Sequence, residues 1–421
     1  MRLTRRPGEG QEGVESLLGG TRFSPLHHDW LRERERLLVE RWAPRRGKAR
    51  ARVLLLNATL GLRFYPSIVD FFVTIQRACP EIRATSVSYF PEIRELAEAP
   101  GRRGLHVADV PWVLGCSADQ LREFDLVIAI GPSEAFARLM TLADLRPKLV
   151  LLDLGFYHQM MASQPSFLTT RTASADGAGW SFGRSLQRNR AAAYTCQPVD
   201  KLRADLDGYF SIYRFEYKTL PYIPIGFGRN EYYRAEHKAF DVGLLGTGGR
   251  DHSLLVPYLL KGIRFLFVGA VERADGLARL KSLGDVTVVS GANEDDYAKL
   301  VALCRCVAMP LHRTTHNVLL SVVDALASGV PMVASPSAGF DELRRAGAPI
   351  LFHHDRRHPT APDCKLSINP LAAAMSLALD LRKLLSDESL RRDMGERALR
   401  FTEEHLDISR VMERILEEQV L

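Results

Sequence analysis

The chain has 421 residues, 46% apolar and 25% charged, enough for two domains with separate buried cores and too apolar for a disordered or fibrous protein. No run approaches the ~18 consecutive apolar residues of a membrane span, and residues 1–10 have no apolar h-region, so a cytoplasmic protein is expected. The net charge of +6 sits at the amino end, where residues 1–52 hold 13 Lys or Arg against 7 Asp or Glu and the rest hold 43 against 43; a neutral body argues against a nucleic-acid groove.

Residues 1–50 read as a basic leader, partly disordered, with one ordered piece. Residues 30–42 interleave Leu31, Leu38, Val39 and Trp42 with alternating Arg and Glu, which predicts a short amphipathic helix. The leader's charge fits a solvated tail or, alternatively, peripheral contact with an anionic lipid surface. From Arg52 short apolar runs alternate with amphipathic stretches, the pattern of a parallel sheet with crossover helices. Strands are predicted at 53–56, 85–89, 126–130 and 149–152, and helices at 66–79, 118–123 and 134–142. This first domain spans 51–225. Within it, residues 162–192 are rich in Ser, Thr, Gly, Asn and Arg and read as a functional loop or as disorder.

The alternation restarts after Pro221 and Pro224, with strands at 242–245, 265–268, 286–289, 307–310, 332–334 and 350–352 and helices at 253–261, 277–283, 295–303, 318–327 and 341–346. This second α/β domain spans 226–402, closed by helices at 371–385 and 388–404. Residues 403–421 are expected to return toward the first domain as a helix. Six cysteines lack C-x-x-C spacing and fit buried thiols in a reducing compartment better than a disulfide framework or a zinc site. Ligands of such sheets bind at the carboxyl ends of the strands, so a cleft between the domains is the expected site.

The run Pro310-Leu311-His312-Arg313-Thr314-Thr315-His316-Asn317 leads from a strand into a helix with Val318, Leu319, Val322, Val323 and Leu326 on its apolar face. A helix starting near Asn317 would offer the amides of Asn317, Val318 and Leu319 to a phosphate, with Asp324 two turns in, placed for ribose hydroxyls. A plain strand, turn and capped helix explains the same pattern. Asn57 to Gly61 follows the first strand, either as a close-approach turn, which Gly61 permits, or as an ordinary one. His158 follows the 149–152 strand, as a sugar contact or as a packing residue. Nine aromatics between Tyr209 and Tyr233 could stack an acceptor or fill core and hinge. Asp205-Leu206-Asp207 has metal-ligand spacing, but lies in a stretch that reads as a helix end and turn.

Residues 301–342, centred on Asp324-Ala325-Leu326-Ala327-Ser328-Gly329-Val330-Pro331-Met332-Val333-Ala334 with Gly339 and Glu342 after it, resemble the donor-binding segment of GT-B glycosyltransferases of the family-4 type. Three further pieces are similar to the same group: residues 220–226 with Tyr232-Tyr233, Val242-Gly243-Leu244-Leu245-Gly246 with Gly248, Gly249, Arg250 and Asp251, and Met394-Gly395-Glu396-Arg397-Ala398. The resemblance implies an α/β GT-B fold of two Rossmann-like domains facing a central cleft. It also implies a retaining, metal-independent transfer from a nucleotide-sugar donor, UDP on base rate, to an acceptor that the sequence leaves open, with no further cofactor. Donor contacts fall on Gly61, Gly249, Arg250, Asn317, Val318, Leu319 and Asp324. His316 stands where the family has a sugar-binding Glu, Asp324 where it has a ribose-binding Glu, and Leu255 where it has a Lys. These departures keep two alternatives in view, an epimerase-like enzyme of the same fold and a binding protein without catalysis.

Overall fold

The apolar runs lack polar alternation, and a strand apolar on both faces must be covered on both, which parallel strands with crossover helices achieve. The computed structural model describes residues 11–26, 28–57, 64–88, 105–108, 110–130, 136, 139, 147–153, 207–211, 232–245, 251–268, 282, 285–289, 292, 294–309, 320–334, 343–344, 346–352 and 370–421. In chain order the elements are α1 (Gln11–Leu18), β1 (Phe23–Leu26), α2 (His28–Trp42), β2 (Ala51–Asn57), α3 (Phe64–Ala78), β3 (Ile82–Ser88), β4 (His106–Ala108), α4 (Val110–Gly115) and α5 (Ala118–Leu121). Next come β5 (Leu126–Ile130), β6 (Lys148–Asp153), β7 (Gly208–Ser211), β8 (Tyr232–Ala235), β9 (Phe240–Leu245), α6 (Asp251–Leu259), β10 (Phe265–Val268), β11 (Val286–Val289) and α7 (Glu294–Ala302). The chain ends with β12 (Cys304–Met309), α8 (Leu320–Ala327), β13 (Met332–Ala334), β14 (Ile350–Phe352), α9 (Pro370–Ser386), α10 (Glu388–His405) and α11 (Ile408–Gln419).

Two six-stranded sheets result, in the orders β4-β3-β2-β5-β6-β7 and β11-β10-β9-β12-β13-β14. Every pairing within them is parallel. Counted within its own sheet each order is 3-2-1-4-5-6, the doubly wound arrangement, whose order reverses between the first and fourth strands. The chain divides into one unit of Met1–Arg2, Trp30–Arg229 and Asp407–Leu421 and another of Leu3–Asp29 and Asn230–Leu406.

Among its described residues, the leader is not the solvated tail the composition suggested. In the second unit β1 pairs antiparallel with β8, from Phe23↔Ala235 to Leu26↔Tyr232. In the first unit α2 and the turn after it meet the acids of α11 and of its cap: Arg34 Nε lies 2.5 Å from Asp407 Oδ2, Arg41 Nη1 2.8 Å from Glu413 Oε2 and Arg45 Nη2 2.9 Å from Glu417 Oε1. Part of the leader's basic surplus is thus matched by acids nearly 400 residues away. Trp42, with no exposure, donates from Nε1 to Glu413 Oε1 at 3.0 Å. The expected continuous helix from 403 breaks at Leu406 and Asp407, because the Asp407 carboxylate caps α11 through the Ser409 amide at 3.0 Å. Ile408, Val411, Met412, Ile415 and Leu416 of α11 are buried, at the spacing of one helix face, and α11 packs on α3.

An aspartate recurs where parallel strands begin. Asp125 Oδ2 accepts from the Arg52 amide at 2.7 Å, Asp207 Oδ2 from the Leu149 amide at 2.7 Å and Asp241 Oδ2 from the Arg264 amide at 3.0 Å. One carboxylate thus satisfies an amide at the open end of a neighbouring strand. Asp207, weighed above as a metal ligand, has this structural contact, and among the described residues no acid, His and Cys cluster could hold a metal ion. Burial pushes the Asp241 carboxyl up, but the Arg264 amide and guanidinium and the Arg305 guanidinium outweigh it and hold the group below its ordinary 3.8. A carboxyl lowered in the folded state stabilises above its unfolded pKa, and that stabilisation is lost as pH falls through the folded value. Asp241→Asn should therefore cost about 1–2 kcal/mol at neutral pH, and its gap to the parent should narrow below pH 3.8. Urea titrations at pH 7 and near pH 3 check this; a gap that does not change with pH would contradict it.

The strand expected at 307–310 begins earlier. Cys304 and Cys306 lie on β12 with no exposure. Burial pushes the Cys304 thiol up to about 12 and also raises Cys306, so both are inert apolar fillers. Cys79 and Cys116 are likewise free and buried; Cys196 and Cys364 lie outside the described residues.

Candidate active site

Strand order identifies the strand ends after which the expected site segments follow in sequence. β9 and β12 are parallel neighbours, with Gly243 opposite Val307 and Leu244 opposite Ala308, and they flank the reversal of order in the second unit. Such sheets bind ligands just beyond the carboxyl ends at this point. β9 ends at Leu245 and β12 at Met309. The segments that follow, 246–250 and 310–319, contain Gly249 and Arg250, and His316, Asn317, Val318 and Leu319; those residues lie outside the described ones. In the first unit Gly61 follows β2 and His158 follows β6, and both also lie outside the described residues. The helix expected from Asn317 is described from Leu320.

Asp324 is described. Val322, Val323, Ala325, Leu326 and Ala327 around it are all buried, so α8 is a core helix covered on every side rather than an amphipathic one. Asp324 itself is 1% exposed and its Oδ1 accepts from the Tyr232 hydroxyl at 3.3 Å. A carboxylate so deeply buried needs such a donor. The bond ties β8 to α8, a structural contact that the sequence reading did not supply; Tyr232 stood out there as an aromatic and as part of a piece similar to the family's linker, not as a partner of Asp324. Tyr233 is core too: its ring meets Phe23 edge-on at 5.9 Å and Lys299 Nζ lies 5.1 Å from its centre.

The carboxyl end of α8 explains the Ser328-Gly329-Val330-Pro331 stretch. Gly329 has φ +62°, the Gly329 amide bonds to Leu326 O at 3.0 Å and the Val330 amide to Ala325 O at 2.9 Å. This pair of bonds is a Schellman stop, which calls for glycine at the left-handed position. Gly395 of α10 approaches the same turn so closely that a Cβ on it would lie 2.5 Å from Gly329 O. Gly243 fits β9 against β12 similarly, since a Cβ there would meet Cys304 Sγ at 2.8 Å. The four sequence pieces singled out above thus meet in the second unit: β8 through Tyr232, β9 through Gly243, α8 through Asp324 and Gly329, and α10 through Gly395.

Residues 254–361 match the family described as Glycosyl transferases group 1. No curated protein matches the sequence. Among solved structures the chain is similar to a glycosyltransferase from Rickettsia africae ESF-5 and to sucrose-phosphate synthase from Thermosynechococcus elongatus. Each is 12% identical with a TM-score of 0.52, covering 88% of this chain and 99% of the other. It is also similar to Anabaena Alr3699/HepE in complex with UDP-glucose, at 14% identity and TM-score 0.52 over 87% of this chain and 98% of that one. At such identities the likeness is one of fold, while the matched segment runs from within α6 to beyond β14 and includes β12 and α8. No helix among the described residues is long and apolar enough to cross a membrane. The chain thus carries a Glycosyl transferases group 1 segment within a two-unit fold of the GT-B type that it shares with these structures.

Proposed function

We propose that the chain moves a sugar from a nucleotide-diphosphate donor to an acceptor, with retention of configuration and without a bound metal. The observation that supports it most is that β9 and β12, which precede the Gly249–Arg250 and His316–Leu319 segments in sequence, are parallel neighbours at the strand-order reversal. In this reading Gly249 lets backbone approach the diphosphate, and Arg250 with the amides of Asn317, Val318 and Leu319 holds it. Asp324 holds the ribose, as well as the Tyr232 hydroxyl. His316 takes the place of the sugar-binding carboxylate, since imidazole can donate a hydrogen bond and bear charge. Gly61 and His158, which follow β2 and β6 in sequence, are the remaining candidates for handling the sugar. Basic side chains and helix amides stabilise the leaving diphosphate, a large term in such catalysis. The UDP-glucose in the Anabaena structure makes UDP the first base to test.

The test is a thermal-shift screen of UDP, GDP, ADP and TDP, in which a ligand at about 100 times its Kd stabilises by roughly 2.7 kcal/mol. Arg250→Ala and Asp324→Ala should each lose about 1.5–3 kcal/mol of nucleotide affinity. They are to be compared below their melting points, because Asp324 also serves the fold. His316→Ala should slow sugar transfer while leaving affinity for the bare nucleotide intact. Full affinity in both the Arg250 and Asp324 variants would place the site elsewhere.

A further inference from the structure

The first unit has a second candidate site, at the rim of its sheet opposite the carboxyl ends of the strands. Arg52 and Arg83 are in-register neighbours on β2 and β3, and both are exposed while the residues beside them, Ala51, Val53, Ile82 and Ala84, are buried. Their guanidiniums therefore leave the same sheet face from strands about 4.8 Å apart, an arrangement of like charges that costs stability. Arg52 is partly neutralised by Glu123, with Nη1 2.9 Å from Oε2. Arg83 has no ion pair or hydrogen bond to another described residue. Thr85 and His106, also in register, continue this face along β3 and β4.

An aromatic shelf stands beside the two arginines. Trp112 of α4 is 39% exposed, and its ring is held edge-to-face against Phe124 at 5.9 Å and 85°. Arg77, at the last turn of α3, adds a third guanidinium, paired with Glu35 at 3.4 Å. Together these residues line a cavity of about 780 Å³ in which Glu123 is the one carboxylate among the described residues. The volume suits a small molecule. The chemistry is a surplus of guanidiniums, which match phosphate in a fork geometry, next to an indole face.

We propose that this groove binds a phosphate ester bearing a planar ring, of the mononucleotide class, with its phosphate between Arg52 and Arg83 and its ring on Trp112. Such a ligand would offset the like-charge repulsion between Arg52 and Arg83. Asp324, the described residue among those assigned to the donor, is not one of the residues that line the groove.

The test uses the full chain with AMP, ribose 5-phosphate, adenosine and a short poly-glutamate peptide as probes, followed by calorimetry. AMP should bind, and the two fragments should bind about tenfold more weakly or worse, because each lacks one of the two contacts. Arg83→Gln and Trp112→Ala should each weaken AMP about tenfold, whereas Arg250→Ala should leave this binding unchanged. Loss in Arg250→Ala alone would assign AMP to the donor site and overturn the proposal. A second reading needs no ligand: Arg83→Gln should raise the melting temperature by about 1–3 °C through relief of repulsion, and a decrease would show that Arg83 serves the fold. Tight binding of poly-glutamate without AMP would replace the small-molecule site with a protein contact.

Discussion

Trp42→Ala is expected to lower stability by about 3–5 kcal/mol, the range for removing a large buried aromatic. Trp42 is fully buried, donates to Glu413 and has the Arg45 guanidinium 4.3 Å from its ring centre. Truncation opens a cavity and takes a hydrogen-bond donor from Glu413, whose side chain is 6% exposed and which then keeps Arg41. Exposed ion pairs such as Arg45–Glu417 contribute less, about 0–1 kcal/mol each, so the indole dominates the attachment of α2 to α11. For a unit of some 200 residues the loss corresponds to a fall of about 6–20 °C in melting temperature. Trp42→Phe should recover most of the packing while still lacking the donor. A Trp42→Ala protein melting within about 2 °C of the parent would show that the leader helix does not support the first unit.

Gly395→Val should be comparably damaging in the second unit. The first added carbon would sit 2.5 Å from Gly329 O, and the contact is with backbone, so no side chain can swing aside. Gly329 cannot yield easily, because its φ of +62° ends α8 and a Cβ on it would already touch Leu399 Cγ at 3.0 Å. Either α10 lifts from the turn or the Schellman stop opens. We expect a loss of about 3 kcal/mol or more, at or beyond the upper end for overpacking. Glu396→Val, one position along on the exposed face, controls for the helix propensity of valine, worth well under 1 kcal/mol. Equal urea midpoints for the two variants would dismiss the close contact as a determinant of stability.

The sequence by itself determined which segments are strands and which are helices wherever apolar character was strong and local. Residues 126–130, 265–268, 286–289, 332–334 and 350–352 are strands with the bounds that their apolar runs predict, because a segment buried on both faces can hold little else. The motif around Asp324 and Gly329 was legible for a similar reason: a helix, a left-handed glycine and a proline are written within a dozen residues. Short strands such as β1, β4, β7 and β8 left too little pattern to recognise.

Only the tertiary structure decided the order of strands in each sheet, the pairing of β1 with β8, and the partners of buried charges. Trp42 and Glu413 are 371 residues apart and Tyr232 and Asp324 are 92 apart. Local propensity carries no information over such distances, so an arginine-rich leader reads as a solvated tail until its acidic partner helix is in place. Asp324 likewise reads as a free carboxylate until α8 is enclosed and the cost of burying its charge demands a hydroxyl from β8.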